Sequence, residues 1–236
     1  MTDEKVKRGD FVELDYTAKV KNTGDVFDTT NEEIAKAAGV NSEGVSYGPV
    51  IVCIGKRHVL KGLDEKLIGT APGQHYVFFL KAEEAFGNRD PRLLQLVSTN
   101  KFRKQEIFPF PGLQVSFEGV VGTVKSVTGG RTAVDFNHPL AGKELEYEVT
   151  VKRIVTDDME KAEAILKLTG IKAAVRKGET GLIIEPEAEL PEEIKEQILK
   201  ELEETGKIAG AIFADKAPAQ KEEQLQPASQ LPFEKG

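Results

Sequence analysis

The sequence predicts an α+β protein in which one antiparallel sheet is assembled from two separated parts of the chain. Residues 11–20 and 145–154 both alternate apolar and polar side chains, which predicts two long strands. The segment 88–136 between them is basic and rich in Phe, unlike its surroundings. From Thr156 onward, apolar residues recur at helical spacing. A small β unit is therefore expected inside the sheet-forming sequence, and a mixed unit after it.

The remaining elements of the first 87 residues follow from turn and cap signals. The turn sequence Asn22-Thr23-Gly24-Asp25 predicts a hairpin. Asn31 is a favourable N-cap for a short helix that Gly39 ends. Periodicity predicts the other elements, namely strands that start at Val26, Val50 and Tyr76 and a helix whose apolar face comprises Leu60, Leu63, Leu67 and Ile68.

Residues 88–136 have a composition of their own. They hold seven Lys/Arg and four Asp/Glu, a balance of +3, whereas the whole chain carries −7 and the remainder therefore −10. They also contain five of the twelve Phe residues. Alternation at 113–117, 119–127 and 132–136 predicts a small all-β unit. Composition alone leaves two interpretations open, a separate functional unit or a β unit whose core uses Phe.

The last part of the chain predicts a C-terminal α+β unit at 156–215. A helix closed by Gly170 precedes a hairpin that turns at Lys177-Gly178-Glu179, and a second helix opens at Pro191. A final strand is expected within 208–213. Residues 216–236 contain three Pro and several Gln but few core-forming residues, which predicts a disordered tail.

Composition also excludes several classes of protein. No apolar run approaches the roughly 18 residues that span a bilayer, and the polar start lacks a secretory signal. The single cysteine, Cys53, lies in an apolar run, which favours a packed core residue in a reducing, cytoplasmic setting. The acidic balance argues against nucleic-acid binding. Three scattered His residues and the absence of a phosphate-binding glycine loop predict no metal and no cofactor.

Five short segments in a fixed order carry a family resemblance. These are Val12-Glu13-Leu14-Asp15-Tyr16-Thr17, Val26-Phe27-Asp28-Thr29-Thr30, Ile54-Gly55-Lys56-Arg57-His58-Val59-Leu60-Lys61-Gly62-Leu63-Asp64, Glu83-Glu84-Ala85-Phe86-Gly87 and Asn137-His138-Pro139-Leu140-Ala141-Gly142-Lys143. Together they resemble the FKBP-type peptidyl-prolyl cis-trans isomerases. The last segment resembles the SlyD-like branch, in which it marks the return from an insert-in-flap domain. The loop 30–48 and the extra C-terminal sequence are similar to archaeal long-type members.

The resemblance implies a fold, a domain division and an activity. The fold is an antiparallel half-barrel sheet wrapped on a short helix. The isomerase domain would comprise residues 1–87 and 137–154, with 88–136 as an inserted chaperone-like domain. The implied activity is isomerisation of X-Pro bonds in folding polypeptides, with unfolded or proline-containing chains as partners.

The resemblance also implies a prolyl pocket. Its residues would be Tyr16, Phe27, Asp28, Val59, Leu60, Leu63, Phe86 and Tyr147, with Val50 and Val52 at flanking wall positions. The Leu60 backbone N–H would donate to the substrate carbonyl. Asp28 would face the twisting carbonyl carbon or orient nearby donors. Two departures are visible, since some members have Trp at the position of Leu63 and many have Tyr at that of Phe86.

The insert offers candidate substrate-binding residues. They are apolar positions in or before its predicted strands, namely Leu93, Leu94, Leu96, Val97, Phe102, Ile107, Phe108 and Phe110. A β unit of this size needs a core, so about half of them are expected to be buried.

Three hypotheses remain on sequence alone. Taken singly, aromatic residues in strands are ordinarily core residues; taken together in family order, they favour an isomerase pocket. A binding-only chaperone that keeps the fold is the second hypothesis. In the third, residues 156–215 mediate homodimerisation or ribosome docking through apolar helix faces.

Overall fold

The computed structural model describes residues 4–42, 44–117 and 119–214. The strands in these ranges are β1 Phe11–Val20, β2 Val26–Thr29, β3 Val50–Cys53, β4 Gln74–Leu80, β5 Leu94–Ser98, β6 Gln114–Phe117, β7 Val120–Thr128, β8 Arg131–Asp135, β9 Leu145–Val155, β10 Ala173–Lys177, β11 Leu182–Pro186 and β12 Ile212–Phe213. The helices are α1 Glu32–Ala38, α2 Lys61–Leu67, α3 Thr99–Arg103, α4 Asp158–Leu168 and α5 Glu192–Glu201. None of these helices has the length and apolar content that a membrane crossing requires. The predicted tail, 216–236, lies outside the described residues.

The main sheet is organised around β1, which pairs antiparallel with three strands. β9 runs along one side of β1 from Val155 opposite Phe11 to Leu145 opposite Val20. On the other side, β3 pairs with the first half of β1 and β2 with the second half. β4 extends the sheet beyond β9. The strands and helices predicted for this part are confirmed, and β4 begins two residues earlier than predicted, at Gln74.

The core of this part lies between the sheet and α2. Because side chains alternate along a strand, one face of β1 presents Val12, Leu14 and Ala18 to the interior. Leu63 and Leu67 of α2 are buried in the same cluster. The packing is tight where α2 meets the segment after β4, because a Cβ on Gly62 would lie 2.6 Å from Glu84 Cβ and 2.8 Å from its backbone oxygen.

The segment between β4 and β9 forms a separate four-stranded antiparallel sheet with strand order β5-β8-β7-β6. The expectation of an all-β unit is wrong in one respect, because α3 packs on this sheet. Its Phe102 is 0% exposed and meets Phe117 edge-on at 5.2 Å between ring centroids. Four strands alone would leave the apolar face of Val115, Val124 and Val134 uncovered, and Phe102 covers it.

The C-terminal segment has the predicted α-β-β-α-β order. β10 and β11 form the predicted hairpin, and β12, shorter than expected, pairs in parallel with β11. α5 continues into a π-helical turn, Leu202–Gly206. The apolar faces of α4 and α5 are buried within this same chain, where Ile165 and Ile198 share a cluster with Phe11 and Val155 of the main sheet. This cluster joins the C-terminal segment to the main sheet.

Cys53 belongs to this shared cluster. Its side chain is 1% exposed, as the prediction of a packed core residue requires. Burial raises the pKa of the Cys53 thiol to about 11, so the reactive thiolate is disfavoured near neutral pH.

Substituting Gly62 by Ala tests the contact between α2 and Glu84. Ala has the higher helix propensity by about 1 kcal/mol, but the new methyl group would meet backbone as well as side chain. We expect Gly62→Ala to lower the free energy of unfolding by about 1–3 kcal/mol, the usual cost of overpacking. Urea titration followed by circular dichroism measures it. A stability equal to or above that of the wild type would contradict the packing described here.

Candidate functional site

An apolar cavity of about 590 Å³ opens between the main sheet and the start of α2. All eight residues predicted for the prolyl pocket line it. The structure adds four further lining residues, so that the full set is Tyr16, Phe27, Asp28, His58, Val59, Leu60, Leu63, Phe86, His138, Pro139, Leu140 and Tyr147.

Four Tyr and Phe rings line the cavity. Phe27 meets Phe86 at 6.3 Å and Tyr147 at 6.1 Å, in both cases edge to face. Tyr16 and Tyr147 lie 5.9 Å apart with their planes tilted by 44°. These offsets are the favourable geometries for aromatic pairs, so the rings fix one another and leave their remaining surfaces for an apolar guest.

Asp28 is the one carboxylate in the cavity wall. The Tyr16 hydroxyl donates a hydrogen bond of 2.8 Å to Asp28 Oδ2. Burial raises the pKa of the Tyr16 hydroxyl far above its usual range, and the neighbouring Asp28 charge adds to the effect. The hydroxyl therefore stays protonated and holds the carboxylate at the rim.

The loop after β3 presents Val59 and Leu60 to the cavity. Buried Asp64, from the first turn of α2, accepts the backbone N–H of Gly55 at 2.9 Å and that of Arg57 at 3.4 Å. His58 Nδ1 accepts the Cys53 N–H at 3.0 Å. The Leu60 N–H has no acceptor among the described residues and precedes the first turn of α2. A free donor is thereby fixed at the cavity wall.

Comparison with known proteins identifies the family. A short-type peptidyl-prolyl cis-trans isomerase of Methanocaldococcus jannaschii is 32% identical over 149 residues, which cover 63% of this chain and 94% of the relative. An FKBP-type 16 kDa peptidyl-prolyl cis-trans isomerase of Escherichia coli is 31% identical over 45% of this chain and 74% of its own length. The chain belongs to the FKBP-type peptidyl-prolyl cis-trans isomerase family. It is an isomerase.

Two further matches concern the SlyD-like features of this FKBP-type chain. The SlyD isomerase of Aeromonas hydrophila is 29% identical over 61% of this chain and 61% of its own length. A family profile described as FKBP26, IF domain, matches residues 95–140. The matched range overlaps the predicted insert and extends through His138, Pro139 and Leu140.

Those three residues form a wall of the FKBP cavity that the sequence did not predict. The His138 ring stacks on Phe86 at 4.2 Å with an interplanar angle of 5°. The Gly142 N–H donates to the Gly87 carbonyl at 2.8 Å and joins the return segment to the corner after Phe86. The motif at 137–143 was recognisable as the return from the insert, but its contact with Phe86 depends on tertiary pairing.

The predicted wall positions Val50 and Val52 do not reach the cavity. Val52 pairs with Val12 and is 2% exposed, within the core. Val50 is half-buried against the same core and is not among the lining residues. Both lie on β3, whose side chains are taken up by packing before the chain turns toward the cavity at His58.

The predicted substrate-binding residues of the insert fall into two groups. Phe102 is a core residue, and Val97 and Ile107 pack against that core, so these three are not free to hold a chain. The other five are exposed, with Phe108 at 76% and Leu96 at 66%. They are Leu93, Leu94, Leu96, Phe108 and Phe110.

A second cavity, of about 510 Å³, lies near α1 and is more polar. Asp15, Glu32, Glu33 and Glu148 line it. Within the described residues, no three His, Cys, Asp or Glu side chains are grouped closely enough to hold a metal ion. The apolar cavity is therefore the better candidate for a proline ring.

His58 should make folding stability depend on pH. Burial lowers the pKa of His58 below its usual value, and the nearby charges of Glu201 and Asp64 only partly oppose this. The unfolded chain therefore takes up a proton first as pH falls below about 6.5, and stability declines until the folded His58 is protonated too. His58→Asn keeps an acceptor near Nδ1 but does not titrate. Urea unfolding between about pH 8 and pH 5 should show a smaller stability loss for His58→Asn than for the wild type. Equal losses would contradict this prediction.

Proposed function

We propose that this isomerase accelerates rotation about X-Pro bonds in folding polypeptides at the apolar cavity, while the insert holds unfolded chain beside it. The observation that carries the proposal is the cavity itself, in which four aromatic rings surround a space next to one carboxylate and one free backbone N–H. The proposed location is the cytoplasm, which a buried, unpaired Cys53 supports.

The chemistry requires no covalent step. Amide resonance sets a barrier of about 18–20 kcal/mol, and uncatalysed X-Pro exchange takes on the order of tens to hundreds of seconds. The twisted transition state has lost that resonance and is less polar across the C–N bond. A cavity with apolar walls therefore favours it over the planar ground state.

Two polar groups would act on the substrate carbonyls. The Leu60 N–H would donate to a carbonyl oxygen and hold the peptide against the aromatic wall. Asp28, held by Tyr16, would face the carbonyl carbon of the twisting bond or orient nearby donors. Leu60 lies on the loop before α2 and Asp28 lies on β2, so the two groups would act on the peptide from different elements.

The proposed domain division follows the sheets. Residues 1–87 and 137–154 would form the isomerase domain and 88–136 the inserted domain, with 156–215 as the C-terminal domain. Three separate core clusters support this division. The second cluster includes Phe11 and Val155 of the main sheet. The proposed C-terminal domain would therefore pack against the main sheet and stabilise it.

The proposed chain-holding surface is the exposed apolar set of the insert. Leu94 and Leu96 lie on β5, an edge strand whose outer side has no partner strand in the described sheet. Phe108 and Phe110 lie between α3 and β6 and are more than half exposed. An extended chain could add to such an edge through backbone hydrogen bonds while its apolar side chains contact these residues.

Both connections to the insert pass the cavity. The outgoing chain leaves at Phe86 and the returning chain lines the wall from His138 to Leu140. A chain held on the insert would therefore be tethered close to the site of isomerisation. Such tethering raises the local concentration of X-Pro bonds at the cavity without requiring a tighter pocket.

The cavity assignment is tested by Phe27→Ala combined with Asp28→Ala. We expect isomerisation of a short proline peptide, followed without a protease, to fall by about 100-fold, since both an aromatic wall and the carboxylate are lost. Phe79→Ala is the matched control, because Phe79 is an exposed ring on the opposite face of the main sheet. A folded double variant with wild-type turnover would show that the site lies elsewhere.

The holding role is tested separately by Leu96→Ser combined with Phe108→Ser. Both residues are exposed, so the fold should tolerate the change. We expect unchanged turnover of the short peptide, at least about 5-fold slower catalysis on a proline-limited unfolded protein, and weaker suppression of aggregation. Val77→Ser with Phe79→Ser removes similar exposed apolar surface from β4 and is the control. Equal behaviour of the two double variants on the unfolded protein would refute a holding site on the insert.

A further inference from the structure

We propose that the Tyr147 hydroxyl donates a hydrogen bond to a carbonyl oxygen of the bound X-Pro segment. The proposal rests on the cavity being the site of isomerisation, and it assigns Tyr147 a polar role in addition to its place in the aromatic wall.

Tyr147 is held rigidly in the sheet. It lies on β9 opposite Ala18 of β1, and its side chain is only 4% exposed. Tyr16 and Phe27 pack against the ring at 5.9 and 6.1 Å. The hydroxyl at the end of such a ring has a fixed position. A donor that recognises one atom of a ligand must be fixed in this way.

The Tyr147 hydroxyl is nevertheless unpaired. It makes no hydrogen bond to any described residue, although Tyr16, Tyr47 and Tyr76 all use theirs. No buried side-chain oxygen in the described ranges lacks a partner, so the Tyr147 hydroxyl must reach solvent. The apolar cavity is the opening that its side chain lines. A nearly buried polar group is thus left free at the place where a substrate would bind.

Tyr16, Phe86 and His138 are less suited to this role. The Tyr16 hydroxyl donates to Asp28, and Phe86 has no hydroxyl. His138 accepts the Leu140 N–H at Nδ1, so the neutral ring keeps its proton on Nε2, but this side chain is exposed and water competes for that donor. Tyr147 is shielded from bulk water. A hydrogen bond from its hydroxyl to a substrate carbonyl therefore contributes more than the same bond at an exposed position.

The electrostatic surroundings keep this donor intact. Burial raises the pKa of the Tyr147 hydroxyl well above its usual range, and the Asp28 charge adds to the increase. The group therefore remains protonated across the working pH range, and toward a carbonyl oxygen it can act only as a donor. A bound peptide without this contact would leave the hydroxyl buried and unpaired, which is costly.

The test is Tyr147→Phe, which removes one oxygen atom from the cavity. We expect kcat/KM for a short proline peptide to fall about 5- to 10-fold, the size of one hydrogen bond, while the unfolding midpoint in urea stays at the wild-type value because no protein partner is lost. Tyr47→Phe, outside this cavity, is the matched control and should leave kcat/KM unchanged.

The outcomes separate this proposal from the assignment of the site. Wild-type activity in Tyr147→Phe, with Phe27→Ala and Asp28→Ala inactive, overturns the hydroxyl role and leaves the site in place. Wild-type activity in all of these variants overturns both. A loss in Tyr147→Phe that accompanies a lower unfolding midpoint assigns the hydroxyl a structural role and also overturns the proposal.

Discussion

Pairing of β1 with β9 is the constraint on which the rest of the structure depends. The two strands are more than a hundred residues apart in sequence, yet they pair from Phe11 and Val155 to Val20 and Leu145. Loop-closure entropy grows only slowly with loop length, so the pairing tolerates an insertion between its partners. The register places Tyr16 and Tyr147 on the same face, beside Phe27 of β2. A slip by one residue would turn the Tyr147 ring to the outer face and open the cavity wall.

The same pairing contains a bulge that connects the sheet to the C-terminal segment. The register shifts between Glu13 and Leu14, so that β9 has one residue more than β1 at this point. An extra residue reverses the alternation of side chains beyond it. Val149 and Val151 therefore face the core of the main sheet, whereas Val155 faces the opposite side with Phe11. Phe11, Val155 and Cys53 form an apolar surface on this side of the sheet, and α4 and α5 cover it. This explains why the apolar faces of α4 and α5 are buried within one chain.

The sequence predicted what depends on local periodicity and missed what depends on distant partners. Alternation indicated β1 and β9, and cap and turn signals indicated α1 and the first hairpin. The helix α3 has only five residues, too few to show a helical period. Phe102 was therefore grouped with the candidate substrate-binding residues, although it is fully buried in its core. The eight residues taken from the family motifs do line one cavity. His58, His138, Pro139 and Leu140 were not predicted to line it. For His138 the decisive contact is its stacking on Phe86, a residue distant in sequence that only tertiary pairing brings near.

Side-chain hydrogen bonds join the two chain segments that connect the main sheet to the four-stranded sheet. The Asn137 side chain accepts the Asp90 N–H at 2.8 Å and donates to the Asp90 carbonyl at 3.0 Å, so it bridges the outgoing and returning chains. It also donates to Asp135, a buried carboxylate that pairs with Arg89. These bonds pair the polar groups of a partly buried cluster, so breaking one bond leaves a polar group without a partner. The free-energy cost of that loss opposes free rotation of the insert. In the proposed function, this polar cluster would keep a chain held at β5 tethered close to the aromatic wall.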